Sequence, residues 1–366
     1  MKKVLLIGDS PISDSPYIRS YIEIFEQNGI PYELLFWNRH LDSTKDMPVN
    51  YIPYNLFTDN NYPTWRRLLN IWGFARFVSK WMSKNNYAYV VVFTIAHAIF
   101  MSCSFQRKYY KKYVFDIRDY SPVCNIVFFR KKIKRIIENS AFTVVSSAGF
   151  LSWLPNSTEC RYVVAHNTTK SMLDAYVDAR GDEFIPPDGS ELRILTIGQI
   201  SYYDSQECFV NHLANRKGVV LSFVGAGPAS GPLQQYVQKK GITNVTFGGR
   251  YEKKDEISII DSCHMINIWL KHDINADSCM ANRFYLSAQL RKPMIVSMNS
   301  HQGDLCEQYG LGVALEENDD FLKKIKKWWN EFDAEKYYSG CQKFLKTVKS
   351  DTERFENELV RLYVKS

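Results

Sequence analysis

Short apolar runs alternate with stretches of helical apolar spacing along this chain, and the alternation runs through two series separated by one interruption. Residues 2–8 (KKVLLIG) are an apolar run closed by glycine, and SPYIRSYIEIFEQNG then sets Tyr17, Ile18, Tyr21, Ile22, Ile24 and Phe25 at helical spacing before an Asn–Gly stop. The series continues with PYELLFW, a basic aromatic helix at 63–84, the strand YAYVVVFT and a helix after it, the strand KKYVFDI, a helix near 124–139, the strand AFTVVSS and the short strand RYVVA. Strand followed by helix, repeated, predicts a parallel sheet covered on both faces.

Between Thr168 and Arg193 the rhythm stops: VDARGDEFIPPDGSEL has acids, Gly and Pro–Pro without periodicity, and reads as a linker. A second series opens at 193 with RILTIG and a helix near 204–216, then VVLSFVGAG and a helix near 230–240, NVTFGG and a helix near 253–262, and HMINIWL. ANRFYLSAQLRKPMIVS (281–297) supplies a helix and a buried strand, followed by a helix near 302–309, the strand GVAL, and basic helical sequence from 319 onward. At 366 residues the chain exceeds one core of roughly 150–200 residues. The expected division is an N-terminal domain at 1–170, a linker at 171–191, a second domain at 192–340, and a helix at 341–366 that packs back toward the first. The fold class is therefore α/β: two Rossmann-like, doubly wound parallel-sheet domains facing across a cleft, with ligands beyond the carboxyl ends of the strands.

Composition narrows the function. An apolar content of 45%, with 14% aromatic residues, is ample for folded cores. The eight cysteines form no Cys-x-x-Cys pair and no His/Cys cluster at zinc spacing, so they read as reduced thiols of a cytoplasmic protein with no bound metal. The apolar run after Lys3 is too short for a signal peptide, and YVVVFTIAHAIFM is too short for a membrane span. The net charge of +7 collects with aromatics at 65–84, 107–113 and 128–135. These segments read either as a solvated basic surface or as a face resting on anionic lipid, each basic group adding about 1 kcal/mol near the surface. No nucleic-acid-binding module is present.

Glycines punctuate the second half. Gly198 closes RILTIG, and Gly225 and Gly227 close VVLSFVGAGP, each where the backbone must turn into the next helix. Such turns suit a diphosphate, because free N–H groups point at the anion, though a tight turn alone explains each one. In order and spacing, I-G-Q-I (197–200), V-G-A-G-P (224–228), N-V-x-F-x-G (244–249) and N-R-F-Y…K-P-M-I-V (282–296) resemble the nucleotide-sugar domain of retaining GT-B glycosyltransferases of bacterial capsule and O-antigen pathways. The resemblance extends to FDIRDYSP (115–122), SSAGFLSWLP (146–155) and His166–Asn167.

That resemblance implies a donor nucleotide on the second domain and an acceptor on the first. Transfer would retain the anomeric configuration and use no metal or other cofactor, with fixed N–H groups and cationic side chains stabilising the leaving diphosphate. Relatives carry a Glu-x7-Glu pair, which falls here on Ser278 and Leu286; both carboxylates are missing. Arg283 stands where relatives show Lys or Arg and is the expected diphosphate contact, unless Asp277 pairs with it. Asn282 either caps the helix or meets the ligand, and Tyr285 and Leu286 complete the donor set. After Gly198, Gln199 and Ser201 offer hydrogen bonds but none of the positive charge that relatives place there. Arg250 and Tyr251 are placed to contact or stack on the base.

On the first domain Asp119 is the candidate acceptor contact or base, with Arg118 its charge partner or a phosphate ligand; a salt bridge to Asp116 is the structural alternative. His97 follows a strand, as a proton carrier or a core histidine. Asp9, Ser10 and Ser15 form the acceptor rim, and His166 lies where the chain leaves the sheet. The expected activity is transfer of a hexose or derivative from a nucleotide-diphosphate sugar, a uridine diphosphate sugar, to a lipid-diphosphate-linked saccharide at the inner leaflet. The missing carboxylates leave open a catalytically inactive subunit that binds glycan or a partner transferase, and a nucleotide-sugar epimerase is a third reading.

Overall fold

A computed structural model describes residues 2–10, 15, 17–42, 44–45, 47–59, 61–168, 171–173 and 191–366, with the side chain of Ser104 left aside. Most of the expected linker therefore lies outside the described residues, as do residues 11–14 of the turn after the first strand. The chain forms two compact units, residues 1–169 with 350–366, and residues 170–349.

In the first unit seven strands are all parallel: β1 (Lys3–Gly8), β2 (Tyr32–Asn38), β3 (Tyr51–Asn55), β4 (Tyr87–Phe93), β5 (Tyr113–Ile117), β6 (Phe142–Val145) and β7 (Tyr162–Val164), in the order β3-β2-β1-β4-β5-β6-β7. Every residue of β4 is buried, which is why YAYVVVF is apolar throughout instead of alternating. β3 escapes the sequence pattern because YIPYN carries Pro53, and a proline that cannot donate to a ladder is tolerated at a sheet edge. Helix Ile18–Gln27 turns Ile18, Tyr21, Ile24 and Phe25 onto the sheet. The expected helix near 124–139 begins later, because Pro122 opens a short 3-10 turn over Pro122–Asn125 and the α-helix runs from Val127 to Glu138.

The second unit is a six-stranded parallel sheet: β8 (Leu192–Gln199), β9 (Val219–Ala226), β10 (Val245–Gly249), β11 (Met265–Asn267), β12 (Met294–Ser297) and β13 (Gly312–Leu315), in the order β10-β9-β8-β11-β12-β13. Two apolar clusters cover its faces, one around Phe284, Tyr285 and Phe344, the other around Phe209, Trp269 and Phe321. The last helix, Ala334–Val364, contributes to both units. Phe344 packs on Phe284, and beyond residue 350 Phe355 meets Tyr21 edge-on at 5.0 Å while Glu358 pairs with Arg161 at 2.5 Å.

At the carboxyl end of β8 and β9 the backbones meet too closely for side chains. Gly225, at φ +141°, pairs with Gly198, and a Cβ there would stand 1.8 Å from the Gly198 carbonyl oxygen. A Cβ on Gly227 would stand 2.3 Å from the Ile200 carbonyl oxygen. Gly241 also has positive φ, +62°, yet nothing lies within 4 Å of its missing Cβ. Gly225→Ala should therefore cost about 3 kcal/mol or more, combining strain and clash, whereas Gly241→Ala should cost about 1 kcal/mol from strain alone. Urea denaturation of the two variants checks this, and equal losses would remove the clash from the account.

Candidate functional site

Both sheets reverse their strand order once: in the first unit between β1 and β4, in the second between β8 and β11. At such a reversal, loops from neighbouring strands turn away in opposite directions and open a crevice beyond the carboxyl ends.

At the first reversal, Asp9 follows β1 and Thr94–His97 follows β4. The Asp9 carboxylate receives long contacts of 3.4 Å from Arg39 Nη2, the Tyr17 hydroxyl and the Ser10 hydroxyl, and its Oδ2 lies 3.7 Å from His97 Nδ1. Ser10 and Ser15 hydrogen-bond to each other at 2.5 Å. Thr94 holds φ +65°, a conformation a β-branched residue rarely adopts, and its hydroxyl lies 2.9 Å from His97 Nδ1. A cavity of about 350 Å³ opens here, walled by Asp9, Arg39, His97 and Asp119 on one side and by Arg67, Leu68 and Ile71 of helix Thr64–Lys84 on another.

The expected first-domain residues thus separate by role. Asp9, His97 and Asp119 come together on the cavity. Asp119 lies on its wall with no hydrogen bond or ion pair among the described residues, and partial loss of water, followed by the Asp9 charge, raises its pKa. His97 is only 4% exposed and lies edge-on to Trp37 and Phe74; burial pulls its pKa down to about 4 despite Asp9. It is neutral at physiological pH, and its Nδ1 lies 2.9 Å from the Thr94 hydroxyl.

Arg118 does not line the cavity. Its Nε and Nη2 donate to the two Asp116 oxygens, each at 2.6 Å, and Nη1 donates to the Ala165 carbonyl and Asn167 Oδ1. Tyr21 adds its hydroxyl to Asp116 at 2.5 Å. A charge pair this deep is stable only when geometry and further hydrogen bonds offset its desolvation, and both are met here. The ligand role expected of Arg118 gives way to the structural one. His166 Nε2 lies 3.1 Å from Asp351 Oδ2 on the last helix, away from the cavity residues.

At the second reversal, Gly225 and Gly227 are accounted for by backbone crowding and Gly198 by its φ of +94°, with Gln199 exposed and Ser201 half-buried on the turn. Arg283 lies in the first turn of helix Asn282–Gln289, half-buried, and its Nη1 donates to the Ile197 carbonyl at 3.3 Å. No carboxylate pairs with it among the described residues, and the expected alternative partner Asp277 is bound to His272 at 2.7 Å. Loss of water pulls its pKa down to about 10, which leaves it charged at neutral pH. Ala281, not Asn282, is the N-cap, and no side chain caps this helix; Asn282 is exposed.

Tyr285 is corrected to a core residue: it is 2% exposed and stacks on Phe344 at 6.1 Å, because its helical position faces the last helix. Leu286 is half-buried against the same cluster. Tyr251 donates its hydroxyl to Glu256 at 3.0 Å, while Arg250 is exposed. Sequence reading missed Arg39 and Arg67 as cavity residues and His272 as the partner of Asp277. Arg39 has a visible signal in its place just after β2; the others depend on tertiary placement. Among the described residues no three His, Cys, Asp or Glu side chains are grouped to hold a metal ion.

No protein-family model and no curated protein matches the chain. Solved structures do. A sucrose-phosphate synthase from Thermosynechococcus elongatus superposes with a TM-score of 0.73 at 13% identity over 100% of both chains. The lipopolysaccharide outer core galactosyltransferase WaaB, in its apo form, gives 0.67 at 13% identity, covering 98% of this chain and 99% of that one. Anabaena Alr3699/HepE, in complex with UDP and glucose, gives 0.63 at 13% identity over 98% and 100%. This chain has the GT-B fold, with two Rossmann-like parallel-sheet domains.

The depressed His97 pKa has a thermodynamic consequence. Between about 4 and the ordinary 6.5, the unfolded chain binds a proton at this residue that the folded chain refuses. Its contribution is complete above about 6.5 and is lost as pH falls toward 4, by up to about 3 kcal/mol. Chemical denaturation across pH 4–7 should show His97→Gln with a flatter acid limb than the wild type; parallel limbs would mean that His97 titrates normally.

Proposed function

We propose that the chain is a metal-independent, retaining glycosyltransferase that moves a hexose or derivative from a uridine diphosphate sugar to a lipid-diphosphate-linked saccharide in bacterial surface polysaccharide synthesis. The observation that carries this reading is Arg283: a half-buried guanidinium at the strand-order reversal of the second unit, with no carboxylate partner among the described residues. A desolvated cation without a counter-charge is costly, and a diphosphate at the carboxyl end of β8 would supply one. The fold is shared with a protein crystallised with UDP and with UDP-glucose. On this reading the Gly198 turn and Arg283 hold the donor diphosphate, and Asp9, His97 and Asp119 line the acceptor side. Asp119 acts as acceptor contact or base, its raised pKa suiting a group that takes up a proton.

One observation favours a second reading. Ser278 donates to the Ile274 carbonyl at 2.5 Å and is buried, and Leu286 packs on the core, so neither replaces the glutamates of the resembling family. A catalytically inactive GT-B subunit that binds glycan or a partner transferase would tolerate that loss.

For a cytoplasmic enzyme at the inner leaflet, helix Thr64–Lys84 is the natural membrane contact. Trp65 and Trp72 are 65% and 50% exposed, Leu69 lies between them, and the helix has five cations and no acid. Phe128, 71% exposed, adds a second apolar point beside Arg130 and Lys131. In the 107–113 segment Tyr109 and Tyr113 are core residues, so only Tyr110 remains for such a surface. No helix among the described residues is long and apolar enough to cross a membrane.

Calorimetric titration of the full chain with UDP should give binding that weakens about 10- to 100-fold in Arg283→Ala, the loss of a charged hydrogen bond. Turnover of a uridine diphosphate sugar separates enzyme from inactive subunit, and no nucleotide binding at all would defeat the donor reading. The doubly substituted Trp65→Ser/Trp72→Ser variant should bind phosphatidylglycerol vesicles at least about 10-fold more weakly, since each buried Trp contributes a few kcal/mol. Unchanged sedimentation with vesicles would remove this helix from the membrane contact.

A further inference from the structure

Resting on the donor reading above, we propose that His272, oriented by Asp277, is a second ligand to the donor diphosphate. The turn after Gly198 lacks the cation that a diphosphate calls for: Gln199 and Ser201 are neutral, and Arg283 approaches from below the turn through its contact with the Ile197 carbonyl. On the other lip of the same crevice, the segment after β11 carries His272, and β11 pairs directly with β8.

That segment is held firmly. The Leu270 amide donates to the Ser297 hydroxyl at 2.9 Å, the Lys271 amide to the Ser205 hydroxyl at 3.0 Å, and the Ala276 amide to Asp273 Oδ1 at 2.8 Å. Asn275 Nδ2 donates to the Tyr202 hydroxyl at 3.1 Å, tying this turn to the turn that follows β8. Lys271, the neighbouring cation, is engaged by Glu317 at 2.7 Å.

His272 Nδ1 lies 2.7 Å from Asp277 Oδ1. An ionised carboxylate only accepts, so Nδ1 carries the proton and the ring orientation is set. Nε2 has no partner among the described residues, and the side chain is 42% exposed. To donate from Nε2 to a phosphate oxygen the ring must carry a proton on both nitrogens. The charged groups beside it are Asp277 and Asp273 on its own turn and the neighbouring Lys271, which Glu317 engages. Asp277 is a positioning residue: it holds the ring.

The test is calorimetric titration of the full chain with UDP and with uridine at pH 6. His272→Gln should weaken UDP binding about 10-fold at pH 6 and leave uridine binding unchanged, since only the diphosphate is contacted. Asp277→Ala should reproduce part of that loss, and His272→Lys, whose charge does not depend on Asp277, should restore affinity. UDP affinity in His272→Gln within about a factor of two of the wild type, or an equal loss for uridine, would overturn the proposal while leaving the donor reading intact. A wild-type chain that binds no UDP would overturn both.

Discussion

Parallel pairing is the constraint from which the rest of the molecule follows. Every ladder in both sheets is parallel, so each strand must be joined to the next by a crossover and all strands of a sheet end on one edge. That edge gathers loops that have no ladder to satisfy, and the single reversal of order in each sheet separates two of them. The residues with unusual chemistry lie there: strained Thr94 and neutral His97 beside Asp9 in one unit, crowded Gly198 and Gly225 beside Arg283 in the other.

Two arginines show how local partners divide structure from function. Arg118 is buried with both oxygens of Asp116, two further acceptors and the Tyr17 ring at 5.1 Å. Four of its five N–H donors are engaged. Arg283 has one carbonyl at 3.3 Å and no carboxylate among the described residues. The two side chains carry the same charge, yet the first is neutralised by a bidentate carboxylate while the second keeps most of its donors for an anion. The difference lies in the neighbouring acids: Asp116 stands two residues from Arg118 on the same strand end, whereas no carboxylate pairs with Arg283 among the described residues.

The architecture was largely legible because buried parallel strands are apolar along their whole length and the helices between them are amphipathic. β3 was not, since Pro53 interrupts its pattern and only its edge position makes the proline tolerable. At the site, Arg283 could be recognised from its helix-opening motif, and Asp9, His97 and Asp119 from their places after strands. Strand order could not be read, because it is decided by pairing between segments far apart in the chain, and with it the reversals stayed hidden. Tyr285 looked like a site residue through its neighbours in sequence, but the helix turns it toward Phe344. His272 and Asp277 meet across a cap-stabilised turn whose geometry no spacing rule announces.

The partnerless guanidinium at Arg283 also sets a limit on how this protein can be improved. A desolvated charge lowers the stability of the empty protein, so a screen that rewards heat resistance alone would favour apolar replacements at that residue. Laboratory evolution toward robustness would then drift away from anion recognition without disturbing the architecture, and a survivor of boiling would be a poor guide to what the natural chain does.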